Sequence, residues 1–121
     1  MSIQYVDANA DAVGTVNETF NIGSTNDQFS IAIDGGGNQV FTLTHGATQT
    51  VANIITDLAS LTGATASSVS INQINFLRIR TTSANGTSST ILVNAPSNNA
   101  NATLGFIATT YNGGSVTNSF I

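Results

Sequence analysis

Apolar and small polar residues alternate on both sides of a glycine-rich turn in the first half of the chain. Residues 29–33 read Phe-Ser-Ile-Ala-Ile and residues 40–43 read Val-Phe-Thr-Leu, so both segments have the two-residue period of a half-buried β-strand. Between them, the segment Asp34-Gly35-Gly36-Gly37-Asn38 supplies residue types that tolerate positive φ angles. The pattern predicts a β-hairpin whose sheet organises the rest of the chain.

The segment after this hairpin changes to a helical period. Its large apolar residues stand at positions 51, 54, 55, 58 and 61, which is the stripe of a helix that packs one face against a sheet. Thr48 or Thr50 can cap the helix at its start, and Gly63 stands where a C-terminal cap is expected. We therefore predict an amphipathic helix over Thr50 to Leu61.

Three further strands complete the predicted fold. Alternation places them at residues 65–71, 76–82 and 90–93, with a turn at Asn85-Gly86 between the last two. Residues 98–104 have weak helical character, and Leu104-Gly105-Phe106 is expected to close the core. The predicted fold class is α+β: a small, mainly antiparallel sheet with one amphipathic helix packed on it and extended arms at both ends.

The pattern divides the chain into one domain and two arms. Residues 29–106 form the predicted compact β-β-α-β-β-β domain, residues 1–28 an N-terminal arm and residues 107–121 a C-terminal arm, because neither terminal stretch sustains a period. For the N-terminal stretch three interpretations stay open: a terminal strand added to the sheet edge, an arm that reaches a neighbouring subunit, and a disordered segment.

Charged residues are scarce, and this restricts the partners. They make up 7% of the chain, with no Lys and a formal net charge of -4, while Ser, Thr and Asn supply 46 of the 121 residues. Two Arg give no basic footprint for nucleic acid or for an anionic membrane, so neither is a predicted partner. No apolar run reaches the roughly 20 residues of a membrane span, and no classical export signal follows Met1, so we expect synthesis in a cytoplasm. A surface with so few charges tolerates close packing against copies of itself.

No residue pattern predicts catalysis or a bound cofactor. His45 is the only histidine, and no Gly-x-Ser-x-Gly motif places a nucleophile near it. The glycines at 35–37 precede a strand rather than a helix and are not followed by Lys, which argues against a phosphate-binding loop. The acids are scattered, so no metal site is predicted, although one alternative stays open in which Asp7 and Asp11 share a cation with Asn9.

The two arginines are candidates for a subunit contact. Strand alternation puts Arg78 and Arg80 on the same face of their strand, where they are either solvated or paired with an acid of a neighbouring subunit. Together with five aromatic or apolar residues of the arms they form the predicted interface set, which consists of Tyr5, Phe20, Arg78, Arg80, Tyr111, Phe120 and Ile121.

Several short segments, in the order derived above, carry a resemblance to a known family. They are Ile31 to Gly35, Val40 to Leu43, Gly46 to Thr48, Val51 to Ile55, Ala66 to Ser70, Leu77 to Ser83, and Asn101 to Phe106. These segments resemble the flagellin IN motif repeats of flagellar hook-associated and filament proteins, and similar units in bacteriophage virion proteins. Flagellar axial proteins also carry long terminal helices with heptads, which are not evident at either end here, so the bacteriophage setting is the closer one.

The resemblance and the charge-poor composition together lead to a functional expectation. We expect a non-enzymatic bacteriophage virion structural protein, either a capsid decoration or cement protein or a small tail component. Its expected partners are copies of itself and other virion proteins of the capsid or tail. Two alternatives stay open: a receptor- or glycan-binding fibre module, for which Tyr5 and Tyr111 are the polar aromatics, and a flagellar filament or cap domain.

Overall fold

Antiparallel strand pairs build nearly all of the fold, which is a small mixed α+β structure. The computed structural model describes residues 7–114. Within that range the elements are β1 Asp11–Val13, β2 Phe20–Ile22, β3 Gln28–Ile33, β4 Asn38–Thr42, β5 Gly46–Gln49, α1 Val51–Asp57, β6 Ala64–Ile71, β7 Ile74–Thr81, β8 Thr90–Val93, α2 Asn101–Leu104 and β9 Thr110–Asn112. A single turn of 3-10 helix, Gly86–Ser88, precedes β8.

The strands of residues 7–114 form three sheets rather than the one that was predicted. Their strand orders are β1-β7-β6, β2-β5 and β4-β3-β8-β9, and the pairs between named strands are all antiparallel. The single-sheet prediction is therefore corrected. Alternation along a segment identifies a strand and its buried face, but it does not identify the partner strand.

The predicted glycine hairpin is confirmed. β3 and β4 pair in register from Gln28 opposite Thr42 to Ala32 opposite Asn38, and the turn begins with positive φ angles of 52° at Asp34 and 75° at Gly35. β3 differs from the prediction because Ser30 and Ala32 on its second face are also buried, while Gln28 on that face is partly buried.

The predicted helix starts where expected and ends one turn early. Thr50 is its cap, since the Thr50 Oγ1 accepts a hydrogen bond from the Asn53 N–H at 3.2 Å. α1 ends at Asp57, whereas the prediction extended it to Leu61, and the chain reaches Gly63, with φ of 79°, through turns. The predicted inward stripe is largely confirmed: positions 51, 54 and 58 are buried, while 55 and 61 are partly buried against the core.

Residues 7–28, which were predicted to belong to an arm, are part of the folded unit. β1 pairs with β7 and β2 pairs with β5. The side chains of Ala10, Ala12, Phe20 and Ile22 are buried in the same core as the predicted domain. These strands have three residues each, which is too short for a period to be recognised in the sequence.

The C-terminal part of the described chain is also attached to a sheet. β9 pairs with β8, so residues 110–112 extend the four-stranded sheet. Leu104 and Phe106 are buried, as predicted, and the Phe106 ring packs against Phe29 with the centroids 5.5 Å apart. The arm predictions for residues 1–6 and 115–121 lie outside the described residues.

Candidate functional site

The sheet β1-β7-β6 presents one face to the core and one to the surroundings. Leu77 and Ile79 of β7 are fully buried, so residues 74, 76, 78 and 80 of β7 point to the opposite side of the sheet. The residues of β1 and β6 that stand opposite these four residues lie on the same side. We call this side the outer face. It consists of Asp11, Val13, Thr65, Ser67, Val69, Ile71, Ile74, Phe76, Arg78 and Arg80.

One end of the outer face holds a cluster of two acids and two arginines, which consists of Asp11, Arg78 and Arg80 of the face and of Asp7, which precedes β1. Arg78 Nε donates to Asp11 Oδ1 at 2.8 Å, and Arg78 Nη2 donates to Asp11 Oδ2, which gives a two-pronged contact. Arg80 Nη2 donates to Asp7 Oδ1 at 2.8 Å, while Arg80 Nη1 donates to Asp7 Oδ2 and, at 3.2 Å, to Asp11 Oδ2. The cluster therefore joins the segment of β1 to β7 through side chains as well as through the backbone.

The ionisation of the cluster follows from these contacts. The hydrogen bond from Arg80 holds the pKa of Asp7 below its ordinary value. In return, the hydrogen bonds to Asp11 and Asp7 raise the pKa values of Arg78 and Arg80, respectively. Two negative and two positive charges cancel, so this end of the outer face carries no net charge at neutral pH.

The cluster bears directly on two sequence predictions. Asp7 and Asp11 do share a cation, but that cation is the guanidinium of Arg80 rather than a metal ion. Within residues 7–114 no group of three or more His, Cys, Asp or Glu side chains could hold a metal. For Arg78 and Arg80 the sequence left two alternatives, solvation or a salt bridge to an acid of a neighbouring subunit, and the structure instead supplies acid partners within the same chain.

The other end of the outer face is apolar. Ile71 and Ile74 stand opposite each other beside the turn of the β6–β7 hairpin and are 54% and 45% exposed. Val69 and Phe76 form the next pair on the same face and are partly buried, and Val13 of β1 lies beside Arg78 and is 39% exposed. This apolar end was not part of the predicted interface set, although the alternation of residues 69–76 across a two-residue turn would have identified it.

Every charged side chain of the protein lies within residues 7–114, and each has a partner in the same chain. Beyond the four residues of the cluster, the remaining acids accept hydrogen bonds that fix turns and element ends. These contacts are Glu18 with the Val51 N–H, Asp27 with His45 and Gln28, Asp34 with the Thr90 N–H and the Ser83 hydroxyl, and Asp57 with the N–H and hydroxyl of Thr44. The rest of the described surface consists of hydroxyls, amides, backbone and apolar groups.

The lone histidine has a local partner. His45 Nε2 lies 2.9 Å from Asp27 Oδ2, and this contact, with a smaller contribution from Gln28, holds the pKa of Asp27 below its ordinary value. No serine or threonine hydroxyl within the described range is hydrogen-bonded to His45. The pair joins the residue that precedes β3 to the residue that precedes β5.

Of the other five members of the predicted interface set, two lie within the described residues and three lie outside them. Phe20 is 1% exposed and lies in the core, so its side chain is not presented on the surface of this conformation. Tyr111 on β9 is partly buried against the core, and its hydroxyl accepts a hydrogen bond from the Ile107 N–H at 3.4 Å, so its ring is not an open platform for a sugar. Tyr5, Phe120 and Ile121 lie outside the described residues.

Comparisons of the chain with protein-family models, with curated proteins and with solved structures gave no match. The resemblance to flagellin IN motif repeats therefore stays a prediction. In the described part of the chain no helix is long and apolar enough to cross a membrane.

Proposed function

We propose that this chain is a structural protein of a bacteriophage virion, without enzymatic activity, that acts through contacts with other subunits. The observation that carries the proposal is the use of charge: all eight charged side chains are held by partners within the chain. Because these charged side chains bond to groups of the same chain, the rest of the described surface consists of hydroxyl, amide, backbone and apolar groups. Such a surface suits close packing among many copies, where unpaired charges would be costly to desolvate.

The outer face supports the same proposal. The cluster at one end has no net charge, and the apolar end exposes Ile71 and Ile74 opposite each other, with the partly buried pair Val69 and Phe76 beside them. Apolar side chains grouped on one face favour a protein contact more than isolated ones do. We propose that this face meets a neighbouring subunit of a capsid or tail, as expected of a decoration or cement protein or a small tail component.

The proposed arms extend this mechanism. The Gly114 N–H donates to the Asp7 carbonyl at 2.8 Å, so the first and last described residues lie side by side, next to Arg80. We propose that residues 1–6 and 115–121 reach neighbouring subunits from this point. Contacts of this kind add buried area across the joints of a particle assembled from many copies.

Binding to particles tests the proposal. Phage particles that lack the protein are mixed with the purified chain, and the bound amount and the heat tolerance of the particles are measured. Ile74→Asp should abolish or strongly reduce binding, because it places a charge on the apolar end of the outer face. Val40→Asp is the matched control, since Val40 is 60% exposed on β4 in a different sheet and should bind like the unaltered chain.

Three results would contradict parts of the proposal. Equal binding of both variants would remove the outer face from the mechanism. Unchanged heat tolerance of particles with and without the protein would exclude a cement role. Specific binding to a glycan array, without any binding to particles, would replace the proposal with the receptor-binding alternative.

A further inference from the structure

The free edge of β6 is a surface feature that none of the contacts above uses. β6 has eight residues, pairs with β7 on one side and has no described strand on its other side. Natural proteins usually protect an exposed edge strand with charges, proline or a bulge. The sequence of β6, Ala-Thr-Ala-Ser-Ser-Val-Ser-Ile, contains no charged residue or proline, and its register with β7 is regular throughout.

The register of the β6–β7 hairpin determines which backbone groups point to this edge. The two-residue turn makes Ile71 and Ile74 a hydrogen-bonded pair, and at the other end the Thr82 N–H donates to the Gly63 carbonyl at 3.0 Å. The odd-numbered residues of β6 therefore bond to β7. The even-numbered residues, 64, 66, 68 and 70, direct their N–H and C=O groups to the free edge, where no described residue bonds to them.

The edge is open to an incoming strand along most of its length. Ala66 is partly exposed, Ser68 and Ser70 are exposed, and only Ala64 is buried. A groove of about 250 Å³ lies between the end of α1 with its following turn and the start of β6. Its apolar lining includes Ile55, Leu58, Leu61, Ala64 and Ala66.

We propose that β6 pairs antiparallel with β6 of a second copy of this chain, around a two-fold axis at Ser67. Among the antiparallel registers, only this one sets all four residues with edge-directed backbone groups opposite one another. Ala64 then stands opposite Ser70, and Ala66 opposite Ser68, of the second copy. Each of these pairs exchanges two backbone hydrogen bonds. The two β1-β7-β6 sheets then join into one continuous six-stranded sheet.

The side chains of the contact are self-complementary. Across the axis, Ser67 meets Ser67 of the second copy and Thr65 meets Val69, so no bulky or charged group opposes another. The nearest charges, those of Arg78 and Arg80, are neutralised within each chain, so the two outer faces do not repel each other. A charged strand of another protein would find no opposite charge at this edge, because β6 contains no charged residue. The uncharged β6 of a second copy is therefore the favoured partner.

The inference rests on the proposed function in one respect, since it names a second copy as one of the subunits that the protein contacts. Strand pairing alone buries less than the roughly 800 Å² per partner of a typical stable interface. The pairing is therefore expected to be weak in dilute solution and to form among subunits that are held close together. A covalent trap is the appropriate way to detect it.

Oxidation of Ser67→Cys provides that trap, because the natural chain contains no cysteine. Residues opposite one another in a non-hydrogen-bonded antiparallel pair have Cα atoms about 4.5 Å apart, within the range of a disulfide. Val69→Cys is the control on the same strand face, since it stands opposite Thr65 and not opposite its own copy. In concentrated full-length protein we expect Ser67→Cys to form disulfide dimers at least about tenfold faster than Val69→Cys.

A second pair of variants tests the backbone contact in the Ser67→Cys background. Adding Ser68→Pro removes an N–H that points to the free edge and not to β7, so it should abolish dimer formation while circular dichroism shows a folded chain. Adding Ser68→Ala keeps this N–H and should leave dimer formation unchanged. Equal crosslinking at positions 67 and 69, or crosslinking that survives Ser68→Pro, would overturn the proposal.

Hydrogen exchange of the backbone N–H groups of residues 66, 68 and 70 distinguishes a second copy from a terminal segment of the same chain as the occupant of the edge. Pairing with a second copy requires protection that rises with protein concentration. Protection that is independent of concentration and disappears when residues 1–6 or 115–121 are removed would assign the edge to a terminal segment and overturn the proposal. These measurements use the purified chain, so their failure leaves the particle-binding test of the proposed function standing, and the reverse also holds.

Discussion

Replacing Gly105 with Ala tests how firmly the N-terminal segment is held to the rest of the fold. Gly105 ends α2 with φ of 87°, and a Cβ atom there would stand 2.4 Å from the backbone nitrogens of Thr15 and Val16. The Gly105 carbonyl also accepts hydrogen bonds from the Thr15 N–H at 3.0 Å and from its hydroxyl at 3.1 Å. Because backbone atoms have no alternative rotamer, the segment at Thr15 must move to make room.

The expected cost is the sum of four contributions. A left-handed φ costs an L-residue about 1–2 kcal/mol, and forcing extra volume into a packed site costs about 1–3 kcal/mol. Losing the two hydrogen bonds of Thr15 costs about 0.5–1.5 kcal/mol each, while the reduced entropy of the unfolded chain returns about 0.4–1 kcal/mol. We therefore expect Gly105→Ala to lower the free energy of unfolding by about 2–8 kcal/mol.

Gly35→Ala is the matched control, because Gly35 has a similar φ of 75° but no atom within 4 Å of the added Cβ. Only the φ and unfolded-state contributions apply there, and the expected loss is about 1 kcal/mol. Urea unfolding followed by circular dichroism measures both variants. If the two losses agree within about 0.5 kcal/mol, the contact between Thr15 and Gly105 is not formed, and the placement of this segment in the folded unit is refuted.

Three further predictions concern the helix cap, a hairpin turn and the response to acid. Thr50→Ala should lower the free energy of unfolding by about 1 kcal/mol by removing the cap of α1, whereas Thr48→Ala, at an exposed position of β5, should change it by less than about 0.5 kcal/mol. Gln73→Gly should raise the urea midpoint, with a gain of about 0.5–1 kcal/mol, because Gln73 has φ of 66° in a two-residue turn where glycine is favoured; an unchanged or lower midpoint would contradict the strained turn. Because the pKa of Asp27 is lowered in the folded state, its contribution to stability is fully present above the unfolded pKa of about 3.9 and is lost as the pH falls through the lower folded pKa. The urea midpoint of His45→Ala should therefore fall less between about pH 5 and about pH 2 than that of the natural chain, and an equal fall would show that His45 does not set this pKa.

The part of the fold that could be predicted from the sequence is the part with a sustained period. The hairpin of β3 and β4, the start of α1, and the strands β6, β7 and β8 all lie within three residues of their predicted bounds. In each of these segments several successive side chains repeat the same burial pattern, so the period itself identifies the element. The early end of α1 was not predictable in this way, because Leu61 keeps the helical spacing while it packs against the core from a turn.

The elements that the sequence did not reveal are short and depend on distant partners. β1, β2 and β9 have three residues each and β5 has four, so none contains enough positions to establish a period. Their extended conformation is stabilised by strands far along the chain, such as β7 for β1 and β8 for β9. Contacts of this kind are not encoded in local spacing, and they explain why residues 7–28 were expected to form an arm.

Of the ten residues of the outer face, only Arg78 and Arg80 belong to the predicted interface set. Alternation correctly placed Arg78 and Arg80 together on an outward face, yet it gave no sign that Asp11 and Asp7, 67 and 73 residues away, would neutralise them. A pair of guanidinium groups already bonded to carboxylates gains little by changing to equivalent partners on another subunit, because the old contacts must first be broken and the charges desolvated. For the proposed subunit contact, we therefore expect the favourable free energy to come from beside the cluster, from the apolar end around Ile71 and Ile74 and from the unpaired edge of β6. In that arrangement the arginines hold β1 in place and keep the face neutral, so Arg78→Ala should weaken a subunit contact less than Ile74→Asp does. The opposite order in the particle-binding assay would return the arginines to the centre of the interface.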